Sequence, residues 1–152
     1  MDTAGTPAAA ATAAPDSLTS LLRKMEWLVT WAHGEALKKH GVNMYQAMSL
    51  IYIAGFGKVR PVNQRTIEKY LYLSNPGVSK IISFLEREGY VERNMDPSDA
   101  RSYRLQATEK GEQFAEVLNE AILESDEIIM KPLTAAERRT LRKLLEKIGK
   151  DH

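Results

Sequence analysis

The fold of this chain is decided by residues 61–93, which read PVNQRTIEKYLYLSNPGVSKIISFLEREGYVER. Asn63 can cap a short helix near the start of this stretch. Asn75 can cap a second helix with Pro76 at its first position, where the missing N–H of proline costs no hydrogen bond. The chain must turn between the two helices, within residues 73–76. The stretch therefore predicts two short helices joined by a tight turn.

After the second helix the spacing of apolar residues changes from helical to alternating. Gly89 ends the helix, because glycine tolerates the left-handed conformation of a helix terminus. Apolar and polar residues then alternate up to residue 107, interrupted by a polar turn at residues 96–99. This pattern predicts a β-hairpin with Arg101 near its tip. The buried stripe of the preceding helix is formed by Val78, Ile81, Ile82 and Leu85.

Longer helical patterns flank this unit on both sides. Apolar residues at helical spacing predict helices over residues 17–40, 108–130 and 134–149, and a helix capped by Asn43 lies between the first of these and residue 61. Thr134 and Glu137 have the spacing of a capping box. The predicted fold is mainly α with a small β-hairpin wing, a winged helix-turn-helix flanked by N- and C-terminal helices.

Composition excludes several classes of protein. A chain of 152 residues with 43% hydrophobic residues can bury the core of one domain. The sequence has no cysteine, which excludes disulfides, zinc–thiolate sites and cysteine nucleophiles. It also has no Gly-rich phosphate loop, G-x-S-x-G elbow or H-E-x-x-H helix, so we expect neither an enzyme nor a cofactor.

The N-terminus and the hydropathy suggest where the protein is found. Residues 1–15 are rich in alanine and threonine and have no basic region, so we expect a disordered tail instead of a secretory signal. No apolar run approaches the roughly 18 residues that a membrane span needs. We expect a cytoplasmic protein without a membrane partner, with residues 16–152 as its single domain.

The net charge of +1 conceals an uneven distribution. Residues 58–104 carry nine basic and six acidic side chains, whereas residues 105–130 carry one basic and seven acidic side chains. The part that contains the two short helices and the hairpin is therefore the plausible anion-facing part of the chain. A segment with this modest excess could also be an ordinary solvated surface.

The motifs of this part resemble those of the MarR (multiple-antibiotic-resistance regulator) family of winged helix-turn-helix transcription regulators. That family has a serine- or threonine-bearing recognition helix, a Leu-Glu pair followed by a glycine, a D-x-R-D-x-R wing and an L-T-x-x-G segment. The resemblance covers about residues 17–149, and the matching positions are Val78-Ser79-Lys80, Leu85-Glu86, Gly89, Asp96 to Arg101 and Ala107 to Gly111.

The resemblance implies a bacterial regulator, a repressor by expectation, that binds double-stranded DNA with the part at about residues 58–107. The second short helix would enter the major groove. Its side chains off the buried stripe, and the polar groups at the start of each short helix, are the candidate DNA contacts. They are Asn63, Gln64, Arg65, Ser74, Asn75, Gly77, Ser79, Lys80 and Ser83. Capping alone is an alternative for Ser74 and Asn75, and a solvated surface is an alternative for residues 63–65.

The wing departs from the family pattern, because Ser98 and Ala100 stand where many members have arginine. The resemblance implies that Arg101 reaches into the minor groove and that Asp99 holds its guanidinium in a charge-assisted pair. The alternative is a salt bridge within the turn that does not touch DNA.

The resemblance also implies a homodimer and an effector. The helices at about residues 17–40 and 108–149 carry more apolar surface than one winged helix needs, and they would interlock with a second copy. The dimer would then read a palindromic operator. A small aromatic or phenolic effector could bind between the dimer helices and the DNA-reading part. Trp27, Trp31, Met48 and Tyr52 could line that pocket, although their helical spacing favours ordinary core packing.

Two other functions are weaker alternatives. His33 and His40 lie seven residues apart without an obvious carboxylate partner, so we expect no metal site. A winged helix can also serve as a protein–protein interaction module without DNA binding. That alternative predicts a recognition helix and wing without outward cations, whereas this chain has Lys80 and Arg101.

Overall fold

The structure is a computed structural model, and it describes residues 17–150. The tail expected at residues 1–15 lies outside the described residues. No described helix is both long and apolar enough to cross a membrane. The elements in chain order are α1 (Leu18–Lys38), α2 (Met44–Phe56), α3 (Gln64–Leu71), α4 (Asn75–Arg87), β1 (Val91–Asp96), β2 (Asp99–Ala107), α5 (Glu109–Met130) and α6 (Ala135–Gly149). The mainly α winged helix-turn-helix predicted from the sequence is confirmed.

Local capping explains where most of the helices begin. Asn63 and Thr134 each form a complete capping box, with the residue three positions later returning a side-chain hydrogen bond to the cap backbone. Asn43 does the same at α2, and Thr108 caps α5 by accepting from the Gly111 amide. Each cap satisfies amides that have no partner inside the helix.

The turn between α3 and α4 differs in detail from the prediction. Helix α4 begins at Asn75, so the cap position belongs to Ser74 and Pro76 occupies the second helical position. Proline is tolerated there as well, because amides in the first turn have no carbonyl partner. The turn itself starts at Tyr72, whose φ of +54° is left-handed and whose side chain is 92% exposed. Residues other than glycine adopt this conformation at a cost of about 1 kcal/mol.

The core of the described chain lies in the helix-turn-helix and the helices that cover it. The predicted α4 stripe of Val78, Ile81, Ile82 and Leu85 is buried there. It packs in one cluster with Leu50 and Ile53 of α2, Ile67 of α3 and Leu118 of α5. By contrast, α6 has no buried residue.

The hairpin is antiparallel, and its base joins three parts of the fold. Val91 pairs with Ala107 at the base, and Asp96 pairs with Asp99 at the tip. The Leu105 amide donates to the Val62 carbonyl at 2.7 Å, which ties the segment before α3 to β2. The start of α3 is thereby held beside the wing.

At the junction between α4, the wing and α5, the backbone segments pack closely and are joined by hydrogen bonds. The Thr108 hydroxyl donates to the Gly89 carbonyl at 2.7 Å, and the Thr108 amide donates to the Tyr90 carbonyl at 3.0 Å. Lys110 donates to the Glu88 carbonyl at 2.7 Å, which satisfies one of the open carbonyls at the end of α4. Gly89 has a φ of +75°, as the sequence predicted. Gly111 lies so close to Tyr90 that only a residue without a Cβ fits.

A part-buried hydrogen bond joins the two long helices α1 and α5. His33 of α1 is buried, and its Nε2 lies 2.7 Å from the Asp126 carboxylate of α5. The sequence expectation that His33 has no carboxylate partner is therefore wrong, because the partner is 93 positions away along the chain. His40 packs edge-on against Phe114. Within residues 17–150 no group of three or more potential metal ligands is brought together.

The wing tip is fixed by Asp96. Its carboxylate accepts from the Arg104 guanidinium at 2.9 Å and from the Ser98 hydroxyl and amide at 2.6 and 2.8 Å. The Arg104 side-chain hydrogen bond, then those from Ser98, hold the pKa of Asp96 well below its ordinary value. The charged form of this carboxylate is therefore the form that stabilises the tip.

We expect Gly111→Ala to destabilise the protein by about 3 kcal/mol, the upper end of the cost of overpacking. A Cβ at Gly111 would stand 1.9 Å from the Tyr90 carbonyl oxygen, and backbone cannot move aside cheaply. The measurement is urea unfolding at one fixed protein concentration. Gly55→Ala is the control, since a Cβ at Gly55 of α2 meets nothing within 4 Å. Equal stability of the two variants would contradict the close approach described above.

We expect Asp96→Asn to increase hydrogen exchange of the amides near the wing tip, whereas Asp99→Asn should have a smaller effect. Asp99 accepts one hydrogen bond, from the Arg101 amide. Folding lowers the pKa of Asp96. The Asp96 carboxylate therefore stabilises the folded wing tip fully above the unfolded pKa of about 3.9, and this stabilisation is lost as the pH falls further. The difference between wild type and Asp96→Asn should persist at about pH 5 and shrink below about pH 4. A difference that does not change down to pH 2 would contradict this assignment.

Candidate nucleic-acid interface

The start of α3, the start of α4 and the wing converge on one cleft of about 360 Å³. The capping box of Asn63 and the bond from Leu105 to Val62 hold the start of α3 against the wing. The short turn after α3 brings the start of α4 to the same place. We call this the α3–wing cleft, and it is lined by Asn63, Gln64, Arg65, Glu68, Asn75, Arg93, Arg101, Ser102, Tyr103 and Leu105.

The charge of this cleft suits an anion. Three arginines line it, from α3, β1 and β2, against one lining acid, Glu68. The Gln64 side-chain amide donates to Glu68 at 3.3 Å and also lies 3.5 Å from the Asn75 carbonyl. Guanidinium groups form forked hydrogen bonds with phosphate, so the arrangement can hold a phosphodiester group.

Five of the predicted contact residues are brought together in this cleft: Asn63, Gln64, Arg65, Asn75 and Arg101. The Asn63 side chain is engaged in its capping box, so its first role is structural. Arg65 and Asn75 are exposed, and Ser74, which precedes α4, makes no side-chain cap bond. The alternative that the Ser74 side chain serves only to cap α4 is therefore not supported.

The remaining predicted contacts lie on α4 outside the cleft. Lys80 and Ser83 are exposed, and Gly77 and Ser79 are partly exposed. They occupy the side of α4 away from its buried stripe, as the sequence predicted. These α4 residues and the cleft residues together make up the candidate surface.

The predicted pairing of Asp99 with the Arg101 guanidinium is wrong in this structure. The Asp99 carboxylate accepts from the Arg101 backbone amide at 3.0 Å, because the two residues lie on the same strand just after the turn. The acid that holds a wing guanidinium is Asp96, which binds Arg104 from across the hairpin. Arg101 itself is exposed and faces the cleft.

Arg93, Ser102 and Tyr103 also line the cleft and were not predicted from the sequence. Arg93 follows the alternation of β1, two positions after the buried Val91, and its Nε donates to Glu86 of α4 at 2.8 Å. Arg93 could have been identified from the sequence, because it is a basic residue on the inward face of a predicted strand. The pairing with Glu86 could be found only from the structure.

The four residues predicted to line an effector pocket are not gathered in one place. Trp27 and Trp31 stack on each other with ring centroids 6.2 Å apart, but they are 65% and 54% exposed. Trp27 and Trp31 are therefore not part of the core of the single chain, and the alternative prediction of ordinary core packing is wrong for these two residues. Met48 packs against the core.

Tyr52 lines a different cleft, of about 550 Å³ between α2 and α3. Its ring packs on Phe56 and Tyr70, and its hydroxyl accepts from Arg60 at 2.5 Å. Burial, followed by the neighbouring Tyr52, raises the pKa of Tyr70. The cleft combines the phenol rings of Tyr52 and Tyr70 with the cations Arg65 and Lys69.

Comparison with known proteins agrees with this geometry. Residues 40–102 match the family model described as MarR family. The chain is 28% identical over 114 residues to the HTH-type transcriptional regulator BilQ of Clostridium symbiosum, an alignment that covers 75% of this chain and 77% of that protein.

Solved structures share the whole architecture. The MepR–DNA complex of Staphylococcus aureus superimposes with a TM-score of 0.78 at 20% identity, covering 90% of this chain and 98% of that chain. CouR of Rhodococcus jostii RHA1, bound to p-coumaroyl-CoA, gives a TM-score of 0.77 at 24% identity, with 91% and 95% covered. At this identity the likeness establishes the fold. The chain therefore has the winged helix-turn-helix fold of these structures, and its residues 40–102 are similar to the MarR family.

Proposed function

We propose that this chain is a transcription regulator of the MarR family, which acts as a homodimer, binds a palindromic operator in double-stranded DNA and represses transcription in the bacterial cytoplasm. The observation that carries the proposal is the convergence of α3, α4 and the wing on a cleft lined by Arg65, Arg93 and Arg101. The structural neighbour MepR was solved as a complex with DNA, which supports the same partner here. The DNA-reading part is about residues 58–107.

Different parts of this surface would have different roles. Helix α4 would lie in the major groove, with Ser79, Lys80 and Ser83 towards the base edges. Arg101 would reach from the wing into the minor groove, where it draws on groove shape and negative potential. The polar groups at the starts of α3 and α4 would contact phosphates and fix the register.

Exposed cations at this surface favour DNA over a protein partner. Lys80 and Arg101 are both exposed. The alternative of a protein–protein module predicted a recognition helix and wing without such outward cations. Lys80 makes no ion pair within the described chain, and neither does Arg101.

Dimerisation would use the helices outside the DNA-reading part. Large apolar side chains are exposed along α1, α5 and α6, and a groove of about 770 Å³ with a partly apolar floor runs between α5 and α6. A helix with no buried residue needs a further packing partner to be stable. A second copy would cover α6, and two-fold symmetry would then place two α4 helices on a palindromic site.

An effector would act by changing the distance between the two α4 helices. CouR was solved with p-coumaroyl-CoA, which shows that this fold can carry an aromatic ligand in that protein. For this chain we propose a small aromatic or phenolic effector. The cleft around Tyr52 and Tyr70 supports it better than the set with Trp27 and Trp31, because it combines aromatic rings with cations.

We expect sedimentation at micromolar concentration to give a two-chain species. Leu144→Glu should weaken the dimer by roughly 3–6 kcal/mol, because Leu144 is 54% exposed on α6 and its burial would be lost in both copies. Val59→Glu is the matched control, since Val59 is 77% exposed in the loop after α2. A well-folded monomer of the wild-type chain would contradict the proposed assembly.

We expect Arg101→Ala to lower affinity for operator and for unrelated duplex alike, with the salt slope reduced by about one unit. Ser79→Ala and Lys80→Ala should instead relax specificity, by about 1–3 kcal/mol of discrimination if they remove a base contact. Asp99→Ala should resemble Arg101→Ala more mildly, because Arg101 then loses only the anchor of its backbone amide.

The operator is first selected from fragments of the source genome, and affinities are then measured at several salt concentrations with the dimer intact. Lys38→Ala is a control of equal charge at the end of α1, where Lys38 is 77% exposed. Unchanged DNA binding in both Arg101→Ala and Lys80→Ala would remove the proposed DNA-reading role.

A further inference from the structure

Arg93 holds an unusual position between the wing and the recognition helix. It belongs to β1, lines the α3–wing cleft, and its side chain is 35% exposed. Its Nε donates to the Glu86 carboxylate of α4 at 2.8 Å. The pair therefore bridges the two elements that form one wall of the cleft.

The bond to Glu86 uses only part of the guanidinium. Arginine has five N–H donors in a planar fork, and the Nε–H is one of them. The two terminal nitrogens of Arg93 have no partner among the described residues. They carry the four N–H groups that bind phosphate in a forked arrangement.

Glu86 does not line the cleft. Its carboxylate binds Arg93 from the side of α4, and by fixing Nε it restricts how the guanidinium plane can turn. Glu68, the lining acid, accepts from Gln64 instead. The cleft therefore presents one oriented guanidinium, that of Arg93, beside the exposed arginines Arg65 and Arg101.

We propose that Arg93 contacts a DNA phosphate in the α3–wing cleft and that Glu86 is its positioning residue. This inference rests on the proposed DNA-binding function, and it adds one contact and its support to that function. The phosphate lies between Arg93 and Arg65, so that the DNA backbone passes between the recognition helix and the wing. Arg93 fixes the register of the protein on the duplex and carries no sequence information.

The test uses the full-length dimer and an unrelated duplex, with affinity measured between about 50 and about 200 mM salt. One phosphate contact contributes about 0.9 to the slope of log affinity against log salt concentration. The ratio of wild-type affinity to Arg93→Gln affinity should therefore fall about threefold over this range. Arg93→Lys keeps the charge and should keep the slope, with lower affinity because the fork is lost. Glu86→Gln should lower affinity without reducing the slope.

The controls come from the C-terminal end of α4, close to Glu86. Arg87→Gln and Glu88→Gln make the same charge changes, and these two residues pair with each other at 3.1 Å outside the cleft. Neither should lower affinity as much as the matching change at Arg93 or Glu86. Circular dichroism checks that each variant is folded.

Two outcomes would overturn the inference. In the first, Arg93→Gln keeps the wild-type salt slope and loses the same affinity as Glu86→Gln, which would make the pair a structural bridge only. In the second, Arg93→Gln has the same affinity and salt slope as Arg87→Gln. If Arg101→Ala still weakens binding in either case, the proposed function stands and only the role of Arg93 fails. If no variant on this surface alters binding, the proposed function fails as well.

Discussion

The contact between Gly111 and the Tyr90 carbonyl is the constraint on which the rest of the fold depends. At this point the end of α4, both strands of the wing and the start of α5 meet within hydrogen-bond distance. Backbone atoms can approach so closely only where a side chain is absent. The recognition helix, the wing and α5 are thereby joined at one rigid point, with the hairpin paired from its base to its tip.

This junction connects the helix-turn-helix and the wing to the long helices that pack on them. Helix α5 extends from the junction towards α6, and it packs against α1 and α2 on the way. The hydrogen bond between His33 and Asp126 joins α1 to α5 near the end of α5 that leads to α6. The end of α4 and the start of α5 are in turn joined by the hydrogen bonds of Thr108 and Lys110 to the Gly89, Tyr90 and Glu88 carbonyls.

Much of this architecture could be predicted from local sequence. Caps such as Asn63 and Thr134 involve residues only three positions apart, and the α4 stripe repeats with the helical period. Both features can therefore be recognised from the sequence. Pairings between distant elements were not visible. Asp99 and Arg101 were paired in the prediction because they are neighbours, whereas the carboxylate that takes a wing guanidinium is Asp96, across the hairpin from Arg104. The partners of His33 and Arg93 were missed for the same reason.

The position of Trp27 and Trp31 has a practical consequence. The sequence contains two tryptophans, and both lie on α1 with more than half of each side chain exposed. Indole emission shifts to shorter wavelength when water is removed from the ring. The tryptophan fluorescence of this protein therefore comes from α1, outside the part that is proposed to bind DNA. It offers an optical signal, without any label, for whether that helix is covered by another molecule.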